Sequence, residues 1–547
     1  KVYNVYGAED GKTDDMAEWS DKNSEVPTVA EQPPVEPSSD GDSSSSVEST
    51  DGNSENATSQ ARTQCTQSAQ KSVSFVAPIV CYITDAEQAQ QVVSELLKEP
   101  VIGFDIETTG LDYFLDKPRL LQAATRTTAY VFDLYRVPLE TFAPVLRGGP
   151  VKVIQNAKFE ANFLSNSKGG VVPEHLFDTM LADQVIHNRS YGHGLQELAR
   201  EYLDIELEKD EQTSEWAAER LTKGQIEYAA ADAAVLLPLY DKLSEEVEGL
   251  GLARTVDLEN RLVGAISWME SRGVGFDYKQ WRELVDVATE RASSLGQELT
   301  QMAQESGGEV LPEVNWNSTK QVLNVLWTLG LKVENTRHET LESAQDQHAI
   351  IPILLDYREA KKRVGTYGRK WLRFIHPITG RIHPNWRQIG AATGRMACAG
   401  PNLQSLPRDP AYRACFRPEP GHVFVKADYS QIEIRIAAQV AREPRMRQAF
   451  LENEDLHVLV ATQMKGQGKP GGVTAEERQL AKAVNFGLLY GMGAKRLAEY
   501  AKSSYGAELS LSQAEAYKAT YFSTFPGIRR WHRTQGEIAE TRTVLGR

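Results

Sequence analysis

The run VIGFDIE (101–107) reads as one short strand, apolar and β-branched with a break on either side. Asp105 and Glu107 are two residues apart on it, so both side chains point to the same face. Two carboxylates so placed at a strand end can share a hard divalent cation such as Mg²⁺ or Mn²⁺. Strand-end acids are also common as plain solvated residues, so the triplet decides nothing without company. Working outward, RLLQAAT (119–125), TAYVFDL (128–134) and VKVIQNA (151–157) read as further strands. Leucines and alanines recur at helical spacing over 158–166, 175–187, 194–203 and 222–246. Strands followed by helices predict an α/β or α+β domain over 74–250.

The company is acidic. Glu160 opens a helix in NAKFEANFL, just after the strand 151–157. Asp232 lies in YAAADAA, with Tyr228 one helical turn earlier on the same face. Two metals held by four acids can generate a hydroxide and stabilise the leaving oxygen in phosphodiester cleavage. A tyrosine one turn from a ligating aspartate can orient the attacking water.

DIETTGL (105–111), NAKFE (156–160), FDTMLAD (177–183) and Y-x-x-x-D (228–232) resemble, in order, the motifs of the DEDD proofreading exonucleases, tyrosine subtype. The resemblance implies a ribonuclease H-like fold and 3′→5′ hydrolysis, one nucleotide at a time. It implies Asp105, Glu107, Glu160 and Asp232 as ligands of two Mg²⁺ or Mn²⁺ ions, with Tyr228 positioning the water. One departure stands out. The second motif ends in Glu160 where the family has aspartate, so the charge survives but the carboxylate reaches one methylene further.

A second constellation lies downstream. GHVFVKADYS (421–430) reads as a buried strand, placing Asp428 at its C-terminal end, with Glu433 five residues on. In ERQLAKAVNFGLLYG (477–491), Arg478, Lys482, Phe486 and Tyr490 are four apart. Each step advances about 40°, so the four lie along one drifting helix face. Two cations then two aromatics would meet a triphosphate and then a base. The same pattern fits an amphipathic helix with its aromatics in the core and its cations in water.

DYSQIEIR (428–435) and R-x-x-x-K-x-x-x-F-G-x-x-Y-G (478–491) resemble the first palm motif and the fingers helix of family A DNA polymerases. NWNSTKQVLNVLWTLGL (315–331), HPITGRIHPNW (376–386), ATGRMACAGPNLQSLP (392–407) and DLH (455–457) fit the same family. The resemblance implies a partial right-hand domain of thumb, palm and fingers over 251–547. Asp428 and the Tyr429 carbonyl would bind two catalytic metals, and Arg478, Lys482 and His457 the triphosphate of a deoxynucleotide. Phe486 would pack on the incoming nucleotide and disfavour dideoxynucleotides. Glu433 would act as steric gate, Tyr490 would close the template side, and Arg395, Asn402 and Gln404 would touch primer–template DNA. The window 357–395 holds ten Lys or Arg residues against Glu359 alone, with Tyr357, Tyr367, Trp371 and Trp386 interleaved. Lys361, Lys362 and Arg363 within it are candidate contacts to the duplex backbone. The family's His-Asp-Glu motif does not occur in the 547 residues. The sequence therefore reads as a polymerase domain interrupted before its second palm aspartate.

The formal charge of −15 would seem to argue against nucleic acid. Residues 1–70, however, hold fourteen acids against four bases, and SSDGDSSSSVESTDGNSEN (38–56) cannot bury enough apolar surface to fold. We read 1–73 as a disordered acidic, Ser-rich tail, which leaves a near-neutral remainder. Four scattered cysteines exclude a disulfide scaffold and a Cys-ligated zinc site. No apolar run approaches a membrane span, so no membrane partner is expected. The expectation is a template-directed DNA polymerase with proofreading, acting in replication or repair. Its setting would be the cytoplasm of a bacterial or phage-infected cell, with an organelle still open and any processivity factor unspecified. The alternatives are a stand-alone 3′→5′ exonuclease and a non-catalytic DNA-binding remnant. Residues 376–491 argue against the first, since an exonuclease alone has no use for them.

Overall fold

The computed structural model describes residues 78–547 apart from 188, 190, 208–209, 212, 308–313, 467–471, 537–541, 544 and 547. The acidic tail expected over 1–73 lies outside the described residues.

Six strands build the sheet that carries the first site: β1 (Ile79–Ile83), β2 (Val101–Thr108), β3 (Pro118–Ala124), β4 (Thr128–Asp133), β5 (Val151–Ile154) and β6 (Leu176–Asp178). Their order is β1-β4-β3-β2-β5-β6, with β3 antiparallel to both its neighbours and the other pairings parallel. The period of two along β2 sorts its side chains. Ile102, Phe104 and Ile106 join Phe132, Phe142 and the buried face of the helix Ala86–Leu96 in one core layer. Gly103, Asp105 and Glu107 therefore face the other way, toward the helix Lys223–Gly249. That helix meets the sheet through Ala229, Ala230, Ala233 and Ala234, packed with Leu120, Ala124 and Val131. It starts at a capping box in which the Thr222 side chain accepts from the Gln225 amide while the Gln225 side chain accepts from the Thr222 amide.

The strand and the helix approach very closely at Gly103. A Cβ there would stand 2.0 Å from the Ala233 carbonyl oxygen, inside any real contact distance. Glycine on the strand and alanine on the helix are what the short separation requires, and they set the height of Asp232 above Asp105 and Glu107.

Residues 253–375 are largely helical. Tyr278–Gly307 pairs with Ile350–Tyr367 around Leu295, Leu299, Trp316, Val322, Leu354 and Tyr357. Below them Val274–Phe276, Arg381–Ile382 and Phe416–Arg417 form a three-stranded sheet over the stacked rings of Trp281 and Trp371, 4.4 Å apart. The helices from Ile432 to Gln535 enclose Ile434, Met446, Leu456, Val484, Tyr521 and Phe525. No described helix is long and apolar enough to cross a membrane.

One expectation needs correction. GHVFVKADYS (421–430) is not a buried strand: it carries no ladder, and every residue of it is exposed, Val425 by 86%. A strand exists where neighbours take its N–H and C=O groups, and among the described residues no strand pairs with this segment. Sequence pattern supplies β-propensity but not a partner. In the basic window, three of the interleaved aromatics serve the core: Tyr357, Tyr367 and Trp371 are all buried. Arg363 pairs with Glu359 and Asp409, Arg369 with Asp286, and Arg381 with Glu419. Lys361, Lys362, Lys370 and Arg387 reach solvent.

Gly103→Ala is expected to destabilise the chain by about 1–3 kcal/mol or more, through overpacking against a backbone that cannot rotate away. Urea unfolding of the two chains side by side measures it. An unchanged midpoint would mean the helix is free to lift.

Candidate active sites

Asp105 and Glu107 on β2 meet Asp232 from the helix above them. One carboxylate oxygen from each lies within 4.8 Å of the others. Tyr228, one turn before Asp232, lies close enough for its hydroxyl to act on that carboxylate. The sequence placed these four residues together, and the structure does the same.

Glu160 lies beside the trio but outside that close group. It sits in the first turn of the helix Ala157–Asn166 and is buried, with its Oε2 lacking any hydrogen-bond partner. Its helix is anchored from behind by Asp178, which the sequence reading passed over. Asp178 ends β6, caps the helix Thr179–Ile186 through the Leu181 amide, and accepts from the amides of Asn156 and Ala157 at 3.2 and 2.8 Å. Asn156 takes the left-handed conformation that turns the chain into the Glu160 helix. An aspartate directly before Thr-Met-Leu is an N-cap signal, so Asp178 was findable. Asp183, fully buried among Tyr202, Arg189 and His193, and Glu270, described below, carry no such mark.

Electrostatics define what this site wants. Burial, and then the neighbouring Asp232, hold the Asp105 carboxyl well above its usual range. Burial, then Asp105 and Asp232, push Glu107 up to about 9. Glu160 is raised by burial and then by Asp105. Asp232 is pushed to about 6 by burial, against the lowering effect of the Tyr228 hydrogen bond. Tyr228 itself is raised, by burial and then by Asp232, so its hydroxyl keeps its proton. Carboxylates crowded in a cleft, together with one orphaned buried oxygen, are what a hard divalent cation satisfies. The residues fit Mg²⁺ or Mn²⁺.

The second site is arranged differently. The helix Ala475–Leu489 starts at a Thr474–Glu477 capping box. It buries Ala481, Ala483, Val484, Asn485, Leu488 and Leu489. Arg478, Lys482, Phe486 and Tyr490 form its less buried row, as the four-residue spacing predicts. Arg478 grips Asp455 Oδ2 through Nε and a terminal nitrogen, at 2.9 and 2.7 Å. His457 is buried against Asn485, its Nδ1 3.0 Å from Asn485 Nδ2, and burial pushes its pKa down to about 4. Its ring lies 6.0 Å from that of Phe486. Glu433 accepts from the Tyr490 hydroxyl at 2.5 Å and from Arg395 at 3.0 Å. The Asn402 side chain caps the Gln404 amide, and Gln404 in turn accepts from the Cys398 amide and donates to the Met396 carbonyl. Asp428 and Tyr429 are exposed, and among the described residues Asp428 belongs to no group of three or more potential metal ligands.

Comparison with known proteins decides the family. A family model described as DNA polymerase family A matches residues 285–547, and one described as 3′-5′ exonuclease matches residues 80–248. The DNA polymerase I of Aquifex aeolicus is 33% identical over 487 residues, which cover 85% of this chain and 81% of the relative. The chain belongs to the family A DNA polymerases. The DNA polymerase I of Pseudomonas aeruginosa is 31% identical over 83% of this chain, and the match spans only 53% of that relative's length. Among solved structures, the polymerase domain of Pol1 from M. smegmatis, in complex with a DNA primer-template and dNTP, superposes with a TM-score of 0.70 at 26% identity. It covers 86% of this chain and 81% of that one. The domain order expected from the motifs, an exonuclease domain followed by a family A polymerase domain, is the order found.

The raised carboxyls carry a sign. The folded chain holds these protons to higher pH than the unfolded chain does, so their stabilising contribution is complete below about pH 4 and is lost as pH rises toward about 9. The metal-free melting midpoint should carry this downward slope. Asp105→Asn, which removes one of the repelling charges, should flatten it. Mg²⁺ should raise the midpoint most at the alkaline end. Melts at several pH values with EDTA and with Mg²⁺ test this, and an identical slope in Asp105→Asn would contradict it.

Proposed function

We propose that the first site hydrolyses the 3′-terminal phosphodiester of DNA and releases one nucleotide at a time. The observation that carries this reading is the Asp105–Glu107–Asp232 cluster, with Tyr228 one helical turn from its third member. Asp105, Glu107, Asp232 and Glu160 would hold two Mg²⁺ or Mn²⁺ ions. When bound, such ions supply Lewis acidity toward the phosphate and the attacking water. Tyr228 keeps its proton, and with its hydroxyl hydrogen turned toward Asp232 its phenolic oxygen would accept a water hydrogen and so aim the water's lone pair at phosphorus.

The polymerase segment is proposed to bind primer–template DNA and deoxynucleoside triphosphates, in replication or repair. Arg478, Lys482, Phe486 and His457 would face the nucleotide. Glu433 would exclude a ribose hydroxyl, with Tyr490 at the template side. Arg395, Asn402, Gln404, Lys361, Lys362 and Arg363 would meet the DNA. Asp428 and the Tyr429 carbonyl would hold its metals, and the cytoplasm is the proposed setting.

The purified chain with Mg²⁺ should degrade a 3′-labelled single strand from its 3′ end. Asp105→Ala and Asp232→Ala should each cut degradation by more than the roughly 100-fold that follows loss of an outer-sphere partner. Tyr228→Phe should cut it by about 100-fold, the scale of a misplaced reactant. Undiminished degradation in Asp232→Ala would sink the exonuclease reading.

A further inference from the structure

Glu160 is buried, and its Oε2 has no hydrogen-bond partner to hold it. Its position must be set by the helix that bears it. Asp178 holds the start of that helix, and its outer face is held by a residue from outside the exonuclease segment. Lys158 and Asn162 are four apart, hence neighbours on one helix face, and each is two residues from Glu160, hence turned away from it. Both end on Glu270, near the C-terminus of the helix Ala253–Arg272. Glu270 Oε1 accepts from Lys158 Nζ at 2.8 Å and from the Trp386 amide at 2.6 Å, and Oε2 accepts from Asn162 Nδ2 at 2.7 Å. Lys158 donates further to the Trp386 carbonyl at 2.9 Å and to Asn385 Oδ1 at 3.2 Å.

Glu270 is 3% exposed and accepts from three donors. A buried carboxylate so satisfied resists displacement, because moving it strands a charge and its partners at once. We infer that Glu270 is a positioning residue of the exonuclease site: it clamps the Glu160 helix to the strand Asn385–Arg387 and thereby fixes the fourth carboxylate relative to the other three. The inference rests on the reading of Asp105, Glu107, Glu160 and Asp232 as a divalent-cation site.

The test uses the full chain with Glu270→Ala and Glu270→Gln. Three quantities are read well below each melting midpoint: Mn²⁺ affinity by calorimetry, kcat, and KM for a single strand. Glu270→Ala should weaken Mn²⁺ binding and lower kcat, each by about 10- to 100-fold, the scale of losing an outer-sphere partner, with KM little changed. Glu270→Gln should fall between, since the amide oxygen still accepts from Lys158 and Trp386 while its nitrogen cannot accept from Asn162. Should Glu270→Ala fail to fold, the same ordering of Glu270→Gln against wild type decides. Folded variants with wild-type Mn²⁺ affinity and kcat would overturn the inference, and so would a loss confined to KM. If the wild-type chain binds Mn²⁺ yet degrades nothing, the exonuclease reading fails, while the Mn²⁺ comparison still tests Glu270.

Discussion

The contact between Gly103 and the Ala233 carbonyl governs the first site. A strand and a helix that close together leave no room for a side chain between them. The separation puts Asp232 within reach of Asp105 and Glu107 and keeps Tyr228 over the same cleft. Every consequence for charge follows from it. Carboxyls this near one another, half withdrawn from water, hold their protons well past the ordinary carboxylate range unless a cation intervenes. The alanine row at 229, 230, 233 and 234 is the helix's half of the arrangement.

The Glu160 helix is positioned by other means. Its N-terminus is tied to β6 through Asp178 and its outer face to Glu270, so this carboxylate takes its place from the exonuclease core and from the residues that follow it in sequence. The strand Asn385–Arg387 pairs with Ala397–Ala399, and the chain linking them carries Arg395, which bonds Glu433 beside Tyr490. One short hairpin thus touches a residue group at each candidate site. The loop after β2 adds a second junction: Asp112 bonds His376 at 3.0 Å, and the Phe114 ring lies 4.8 and 4.5 Å from the rings of His376 and His383.

Much of this was legible in the sequence because it is local. Alternation along VIGFDIE fixed which face Asp105 and Glu107 share, and the turn from Tyr228 to Asp232 fixed theirs. The four-residue row from Arg478 to Tyr490 emerged as a helix face for the same reason. What escaped depends on partners distant in sequence. β1 is an edge strand of five residues and β6 has three, both too short for periodicity to register. The run 421–430 has strand composition but no described neighbour to pair with. Tyr357, Tyr367 and Trp371 stand interleaved with cations in a basic stripe, yet tertiary packing buries them. Glu270 resembles any surface glutamate on a helix until the fold brings Lys158, Asn162 and the Trp386 amide to it.

The central claim is that the cluster on β2 and the helix Lys223–Gly249 is a cation site assembled from carboxyls that, without the cation, hold their protons above the ordinary carboxylate range. Calorimetric titration of Mn²⁺ into the metal-free chain near pH 7, repeated in buffers of different ionisation enthalpy, reports the protons released on binding. The account predicts saturable binding with measurable proton release, reduced in Asp105→Asn. Binding with no proton release, or release unchanged by that substitution, would contradict it.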